Sequence, residues 1–222
     1  GDCSAVQDQL KNVQEVQASG GVHGGAFAAI LADGSVVAWG DPKYGGDSSA
    51  VQEGLCNVQQ IQATLAAFAA ISADGSVLTW GDPTSGGDSS RVQHQLRNVQ
   101  HIQATGLAFA AILADASVVA WGDPGHGGDS SAVQRQLRNV QKIQVTRRAF
   151  AALLADGSVI TWGAPDCGGD SSAVKDRLRN VQQIQATSFA FTALLADGSL
   201  VTWGNPTWGG DSSAVQEQLQ YL

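Results

Sequence analysis

Apolar and polar positions come in short, regular bursts along this chain. In Phe68–Ser90, FAAISADGSVLTWGDPTSGGDSS, two apolar runs at 68–73 and 76–80 flank Asp74-Gly75. Two such runs around an Asp-Gly pair predict a β-hairpin, and a type I′ turn would hold both central residues at positive φ. Ahead of them, Gln60–Thr64 alternates: Ile61 and Ala63 point one way, Gln60 and Gln62 the other, which predicts a third strand. Before that, Val51 and Leu55 are four apart in Ser49–Leu55, so they share one face of a short helix. Asp47 or Ser48 is placed to cap it, and Ser49 with Gln52 fits a capping box. The hairpin strands are apolar on both faces, with alanines interspersed among Phe68, Ile71 and Trp80. A sheet covered on both sides is what stacked propeller blades require.

The pattern recurs. Trp-Gly pairs begin at Trp39, Trp80, Trp121, Trp162 and Trp203, each 41 residues after the last, and Phe27, Phe68, Phe109, Phe150 and Phe191 keep the same step. A fixed period of this size means an array of small units. The expected fold is all-β with short helices: a β-propeller-like array of five 41-residue repeats forming one repeat domain over 1–222. An open repeat solenoid is the alternative. The five tryptophans are expected in the structural core. Residues 210–222 repeat the helical segment with no strands after it and read as a terminal partial repeat.

Two units depart from the pattern. In unit one, SGGVHGGA stands where unit two has TLAA, and this glycine-rich insertion is expected to be a loop. In unit three, Ala116 replaces the turn glycine. An alanine held at positive φ costs roughly 1 kcal/mol, so that turn should be strained or of another type. The opening residues 1–17 match Gly46–Gln62, and the chain contains no Met. It is therefore expected to be a piece of a longer protein.

Charged residues make up 14% of the chain against 43% hydrophobic, a composition that can bury a small-residue core. No apolar run approaches the roughly 20 residues of a membrane span, so no membrane insertion is expected. The net charge is −8, distributed as −8 over residues 1–90, +3 over 91–180 and −3 over 181–222. An acidic chain with one mildly basic sector points to protein partners rather than nucleic acid.

At FAAISADGSVLTWG the chain resembles the regulator of chromosome condensation repeat, in which a hydrophobic strand, an Asp-Gly turn and a strand ending in Trp-Gly follow one another. It is similar also to the Trp-Gly-Asp-Pro repeat proteins of dinoflagellate algae. The resemblance covers nearly the whole chain and implies a β-propeller of consecutive blades. The family's blades are longer and its rings larger, and its Gly-Gln-Leu-Gly is replaced here by Gly-Gly-Asp-Ser-Ser. Nothing matches a ubiquitin-ligase catalytic domain. Guanine-nucleotide exchange belongs to one member of the family and does not transfer with the fold.

Candidate chemistry is sparse. His23, His94, His101 and His126 fall at unrelated repeat positions, and Cys3, Cys56 and Cys167 match no metal spacing. The cysteines read as incidental thiols, with one disulfide as the alternative. Loops such as DPKYGGDSS offer carboxylates that could hold Ca²⁺, but Asp as turn and cap residue explains every such position. No cofactor and no metal are therefore expected. No nucleophile, phosphate or zinc motif occurs, and an enzyme is not expected.

Variability inside the frame is more informative. After each Trp-Gly-Asp/Ala/Asn-Pro, the next two residues read Lys43-Tyr44, Thr84-Ser85, Gly125-His126, Asp166-Cys167 and Thr207-Trp208. A second variable site reads Leu65-Ala66, Gly106-Leu107, Arg147-Arg148 and Ser188-Phe189. Aromatic and arginine side chains are the usual anchors of interfaces. Tyr44, His126, Arg147, Arg148, Phe189 and Trp208 are thus the candidate partner-binding residues. They fit a non-catalytic scaffold, a subunit or module of a larger assembly. A lectin-like propeller binding glycans or another small ligand is the alternative.

Overall fold

The computed structural model describes residues 3–21 and 23–213. Each repeat forms one three-stranded antiparallel sheet, five in all, with strands in chain order. Unit one holds β1 (Val13–Gly21), β2 (Gly24–Leu31) and β3 (Val36–Gly40). Unit two holds β4 (Val58–Ala63), β5 (Ala67–Ser72) and β6 (Val77–Gly81). Unit three holds β7 (Val99–Ala104), β8 (Ala108–Leu113) and β9 (Val118–Gly122). Units four and five continue with β10 (Val140–Val145), β11 (Ala149–Leu154), β12 (Val159–Gly163), β13 (Val181–Ala186), β14 (Ala190–Leu195) and β15 (Leu200–Gly204). The expected terminal partial repeat falls largely outside the described residues. No helix among the described residues is long and apolar enough to cross a membrane.

The first strand of each unit starts earlier than alternation alone suggests. Val58 and Ile61 are three apart yet both buried, because the pairing steps from Val58↔Ser72 to Gln60↔Ile71 and leaves Gln59 as a bulge. One extra residue restores both side chains to the same face.

The Asp-Gly turn is not type I′. Ser72 N donates to Ser76 O at 3.0 Å and Gly75 N to Ser72 O at 2.8 Å, so three residues close the hairpin, with positive φ at Gly75 (77°) and not at Asp74. This is a type I turn followed by a left-handed residue. Ala116 keeps that conformation at φ 62°, so unit three carries the strain instead of changing its turn.

The expected helix is looser than an α-helix. It is a 3-10 helix at Ser49–Gly54 and Ser172–Arg177, and a run of turns in units one, three and four. The capping box does not form, because Gln52 has another task. Its side-chain amide donates to Val36 O at 3.0 Å while its carbonyl accepts from the Ser48 hydroxyl at 2.9 Å, tying the segment to the preceding sheet. Ser89, Gln93 and Val77 repeat this arrangement, as do Ser130, Gln134 and Val118. The glycine-rich insertion in unit one is also not a loop: it lengthens the hairpin through Ser19↔Ala26, Gly20↔Gly25 and Gly21↔Gly24.

The core lies between units rather than within them. One face of unit two, with Ala67, Ala69, Ile71 and Val77, packs on Leu96, Val99, Ile102, Phe109 and Trp121 of unit three. The same faces meet between units one and two, three and four, and four and five. Alanines on the giving face let the next sheet approach, and each buried Leu, Ile or Phe on the receiving face contributes about 1.5–3 kcal/mol. Phe109 stacks on its cross-strand partner Trp121 with centroids 5.2 Å apart, and the indole N–H donates to Gly86 O of the previous unit at 3.0 Å. Gly86 is a left-handed residue (φ 93°), and a Cβ there would meet the Phe109 ring at 2.6 Å. The tryptophan thus both fills the core and locks each unit to the one before, as in Trp80, Trp162 and Trp203.

Candidate interaction face

Both variable sites lie at one end of the sheets. The first follows the third strand, in 3-10 turns such as Pro83–Ser85, Pro124–His126 and Pro206–Trp208. The second is the tip between first and second strands. A threonine joins them. Thr64 Oγ1 donates to Ser85 O at 3.0 Å and accepts from Ala67 N at 3.0 Å. Thr105, Thr146 and Thr187 make the same bond to His126 O, Cys167 O and Trp208 O at 2.9–3.0 Å. In unit one, Ser19 takes this place and donates to Tyr44 O.

A second set of bonds connects the tips across units. Leu65 N donates to Gly106 O, Gly106 N to Arg147 O and Arg147 N to Ser188 O, each at 2.8 Å. The variable residues therefore form a continuous strip over units two to five, on a backbone that does not depend on their side chains.

On that strip the candidate residues meet in groups. Phe189 and Trp208 pack edge-on with centroids 4.8 Å apart, and Trp208 remains 49% exposed. Arg148 reaches Asp166 at 3.9 Å, with its Nε buried and without a hydrogen-bond partner among the described residues. Arg147 points its exposed side chain outward beside it. His126 bonds Asp123 through Nδ1 at 2.7 Å and is half-buried. A Cβ on Gly106 would lie 3.6 Å from the His126 ring. Tyr44 stands apart in unit one, where its ring lies against Gly24 of the lengthened hairpin. Five of the six candidates thus share one surface over units three to five, and Tyr44 lies outside it in unit one.

Local bonds account for the carboxylates at this end. Asp41 and Asp82 accept from Lys43 N and Thr84 N two residues on, and cap the turns. Burial works against ionisation of Asp82, but the Ser85 and Thr84 hydroxyls outweigh it and hold its carboxyl below the usual range. Burial pushes the Cys167 thiol up, with the charge of Asp166 adding to the effect. All three cysteines are free thiols. No cluster of three or more potential metal ligands occurs among the described residues.

Two features of the site were not anticipated from sequence. The joining threonine recurs with the period at 64, 105, 146 and 187, so its signal was present. The bonds between tips leave no signal, because backbone groups make them at positions where Leu, Gly, Arg and Ser alternate.

The strongest external support for the architecture comes from solved structures. The chain matches Prp20p of Saccharomyces cerevisiae, the yeast RCC1, with a TM-score of 0.57 and 17% identity over 90% of this chain and 58% of that one. The fold is that of the RCC1-like propeller repeats. Human WBSCR16 matches with a TM-score of 0.51 at 17% identity, over 86% of this chain and 61% of that one. The ectodomain of the Physcomitrella patens receptor kinase CR4 matches at 0.54 and 14% identity, over 86% and 53%. The chain thus spans about three fifths of the length of its first RCC1-like neighbours. No protein-family model matches the sequence, and no curated protein sequence matches it. The RCC1-like architecture explains why tips and turns from successive units share one rim: each repeat presents equivalent loops on the same side of the array.

Proposed function

We propose that this chain is a non-catalytic scaffold that binds a protein partner through the strip of variable residues on its loop rim. The observation that carries the reading is the division of labour in each unit. Threonine staples and tip-to-tip bonds hold an invariant backbone, and unlike side chains, Arg147, Arg148, Phe189, Trp208 and His126 among them, are displayed from it. An exposed indole braced by Phe189 beside a pair of arginines offers an apolar anchor and charge together, the usual make-up of a protein-binding centre. The crystal structure of Prp20p is described together with its binding to Gsp1p and histones, so the same fold serves protein binding in a neighbour. A glycan-binding ring would repeat one pocket around the array. The equivalent positions here hold Tyr44, Ser85, His126, Cys167 and Trp208.

The test is a pull-down from the source organism with the intact chain, at low and moderate salt, beside the variants Arg147→Glu/Arg148→Glu and Trp208→Ala. A defined protein complex that weakens with salt and is lost in both variants supports the reading. A complex indifferent to all three changes, or an empty capture alongside a positive glycan screen, overturns it.

A further inference from the structure

A groove of about 750 Å³ opens between the segments 83–95 and 124–134, with the third strand of unit three as its floor. Its size lies within the roughly 300–1,000 Å³ of small-ligand sites. Both walls are internal to the array, since units two and four flank unit three.

Here the chain leaves its own repeat twice. On the wall, Arg91 stands where the other units have Ala5, Ala50, Ala132 and Ala173. On the floor, Ala120 stands where units two, four and five have Thr79, Thr161 and Thr202; unit one also has an alanine, Ala38, but with Ala5 on the wall. The threonines close the floor. Thr79 Oγ1 donates to Gly87 O at 3.1 Å and lies 3.0 Å from Ser89 Oγ, and Thr161 and Thr202 reach the Ser171 and Ser212 hydroxyls at 3.0 Å. Ala120 has no hydroxyl to do this. Among the described residues Gly128 O, the counterpart of Gly87 O, receives no donor, and the Ser130 hydroxyl bonds Gln134 alone, at 2.9 Å.

The polar groups that line the groove carry both signs. Arg91 is exposed and makes neither a hydrogen bond nor an ion pair among the described residues, and Gln95 is exposed beside it. Asp88 and Asp129 face them as acceptors. The Ser90 and Ser131 backbone N–H groups, then their hydroxyls, hold these carboxyls below the usual range, and Arg91 adds to this at Asp88. Two carboxylates oppose an anion, and a guanidinium opposes a metal ion. A peptide strand finds no edge to extend, because Val118 O already accepts from Gln134 at 2.8 Å and Gly128 lies against Gly122. Pro83, Pro124 and Val92 supply apolar surface between the polar groups. A neutral ligand with many hydroxyls and apolar C–H faces satisfies all of these conditions.

We propose that this groove binds a neutral saccharide. Arg91 and Gln95 donate to its oxygens, Asp88 and Asp129 accept from its hydroxyls, and one hydroxyl stands over Ala120 where a threonine hydroxyl stands in units two, four and five. The site is single, because the two departures coincide at unit three. It is separate from the protein-binding rim, which uses neither Arg91 nor Ala120.

The experiment is isothermal titration calorimetry on the full chain with glucose, galactose, mannose, N-acetylglucosamine, cellobiose and lactose, with calcium ion and inorganic phosphate as charged probes. The expected result is binding of at least one sugar at a single site per chain. Arg91→Ala and Ala120→Thr install the residues that the repeat carries elsewhere, so both variants should keep the parent's circular dichroism and melting. Each should bind the sugar roughly tenfold more weakly or worse. Unit four already has Asp129, Asp170 and Gln136 at the places of Asp88, Asp129 and Gln95. Ala132→Arg/Thr161→Ala should therefore add a second site and double the stoichiometry. A panel that does not bind, single variants that bind like the parent, a stoichiometry unchanged in the double variant, or a charged probe whose binding the single variants abolish overturns the proposal. None of these outcomes bears on capture of a protein at the rim, because the substituted residues lie off it.

Discussion

Units one and three are built from nearly the same residues and differ in what stands in front of them. Unit three receives unit two: Ile102 and Phe109 are fully buried and Trp121 donates its indole N–H to Gly86 O. Unit one carries Val16, Phe27 and Trp39 at these positions, and Val16 is 49% exposed. In both, phenylalanine and tryptophan stack across the same strand pair, at 5.3 and 5.2 Å. The cross-strand pair therefore belongs to the single sheet, and the indole bond and the burial belong to the array. Stability in such a chain resides at the junctions, as expected for units that contact only their neighbours.

The largest effect should separate these two contributions. Trp121→Ala removes a buried ring and leaves the Gly86 carbonyl without its donor, which should cost about 3–5 kcal/mol. Trp39→Ala removes the stack and a half-buried ring and should cost less, about 1–2 kcal/mol. Chemical denaturation of both variants checks this; equal losses would mean that the sheet, not the junction, carries the stability.

A smaller effect concerns the turn. Gly75 allows Asn98 of the next unit to come close, since a Cβ would meet its Cα at 2.8 Å. Asn98 is itself left-handed at φ 52°, and Val99 N donates to Gly75 O at 2.9 Å. Unit three makes the same bond from Val140 N to Ala116 O with an alanine at φ 62°. Ala116→Gly should therefore stabilise the chain by on the order of 0.5–1 kcal/mol, and Gly75→Ala should destabilise it by more than that. Thermal melts of the two variants would reveal whether unit three has already adjusted to its alanine; if so, Ala116→Gly gains nothing.

These positions also show what the chain's pattern discloses. The 41-residue step kept by Phe and Trp and the strands were legible, because side-chain periodicity reports which faces are covered. The turn type was not, because Asp-Gly suits a two-residue loop and a three-residue loop equally well. The bulge at Gln59 hid Val58, since a bulge breaks the alternation by which a strand is recognised. Gln52 fitted a capping box at short range but bonds Val36 in the preceding sheet, a partner 16 residues away that local spacing does not show. The candidate residues were found from their variability. Their assembly into one strip depends on backbone bonds between tips, which no side chain announces.

The smallest expected effect is a place where units one and three should agree. Asp33 accepts from Ser35 N at 2.9 Å and from its hydroxyl at 2.6 Å, and Asp115 does the same with Ser117 at 3.0 and 2.6 Å. In both, the serine hydroxyl first and the backbone N–H second hold the carboxyl below its ordinary 3.8. A carboxyl lowered in the folded state binds more protons when unfolded. Its contribution is therefore complete above 3.8 and disappears as pH falls through the lower folded value. Asp33→Asn and Asp115→Asn should each flatten the acid limb of the stability curve slightly, with a small loss of stability at neutral pH and none below the folded value. Because both carboxylates are exposed and bond the serine of their own turn, the two variants should give the same curve. A larger change at Asp115 would show that the junction behind unit three reaches its carboxylate, and that the contrast with unit one extends beyond the packed face.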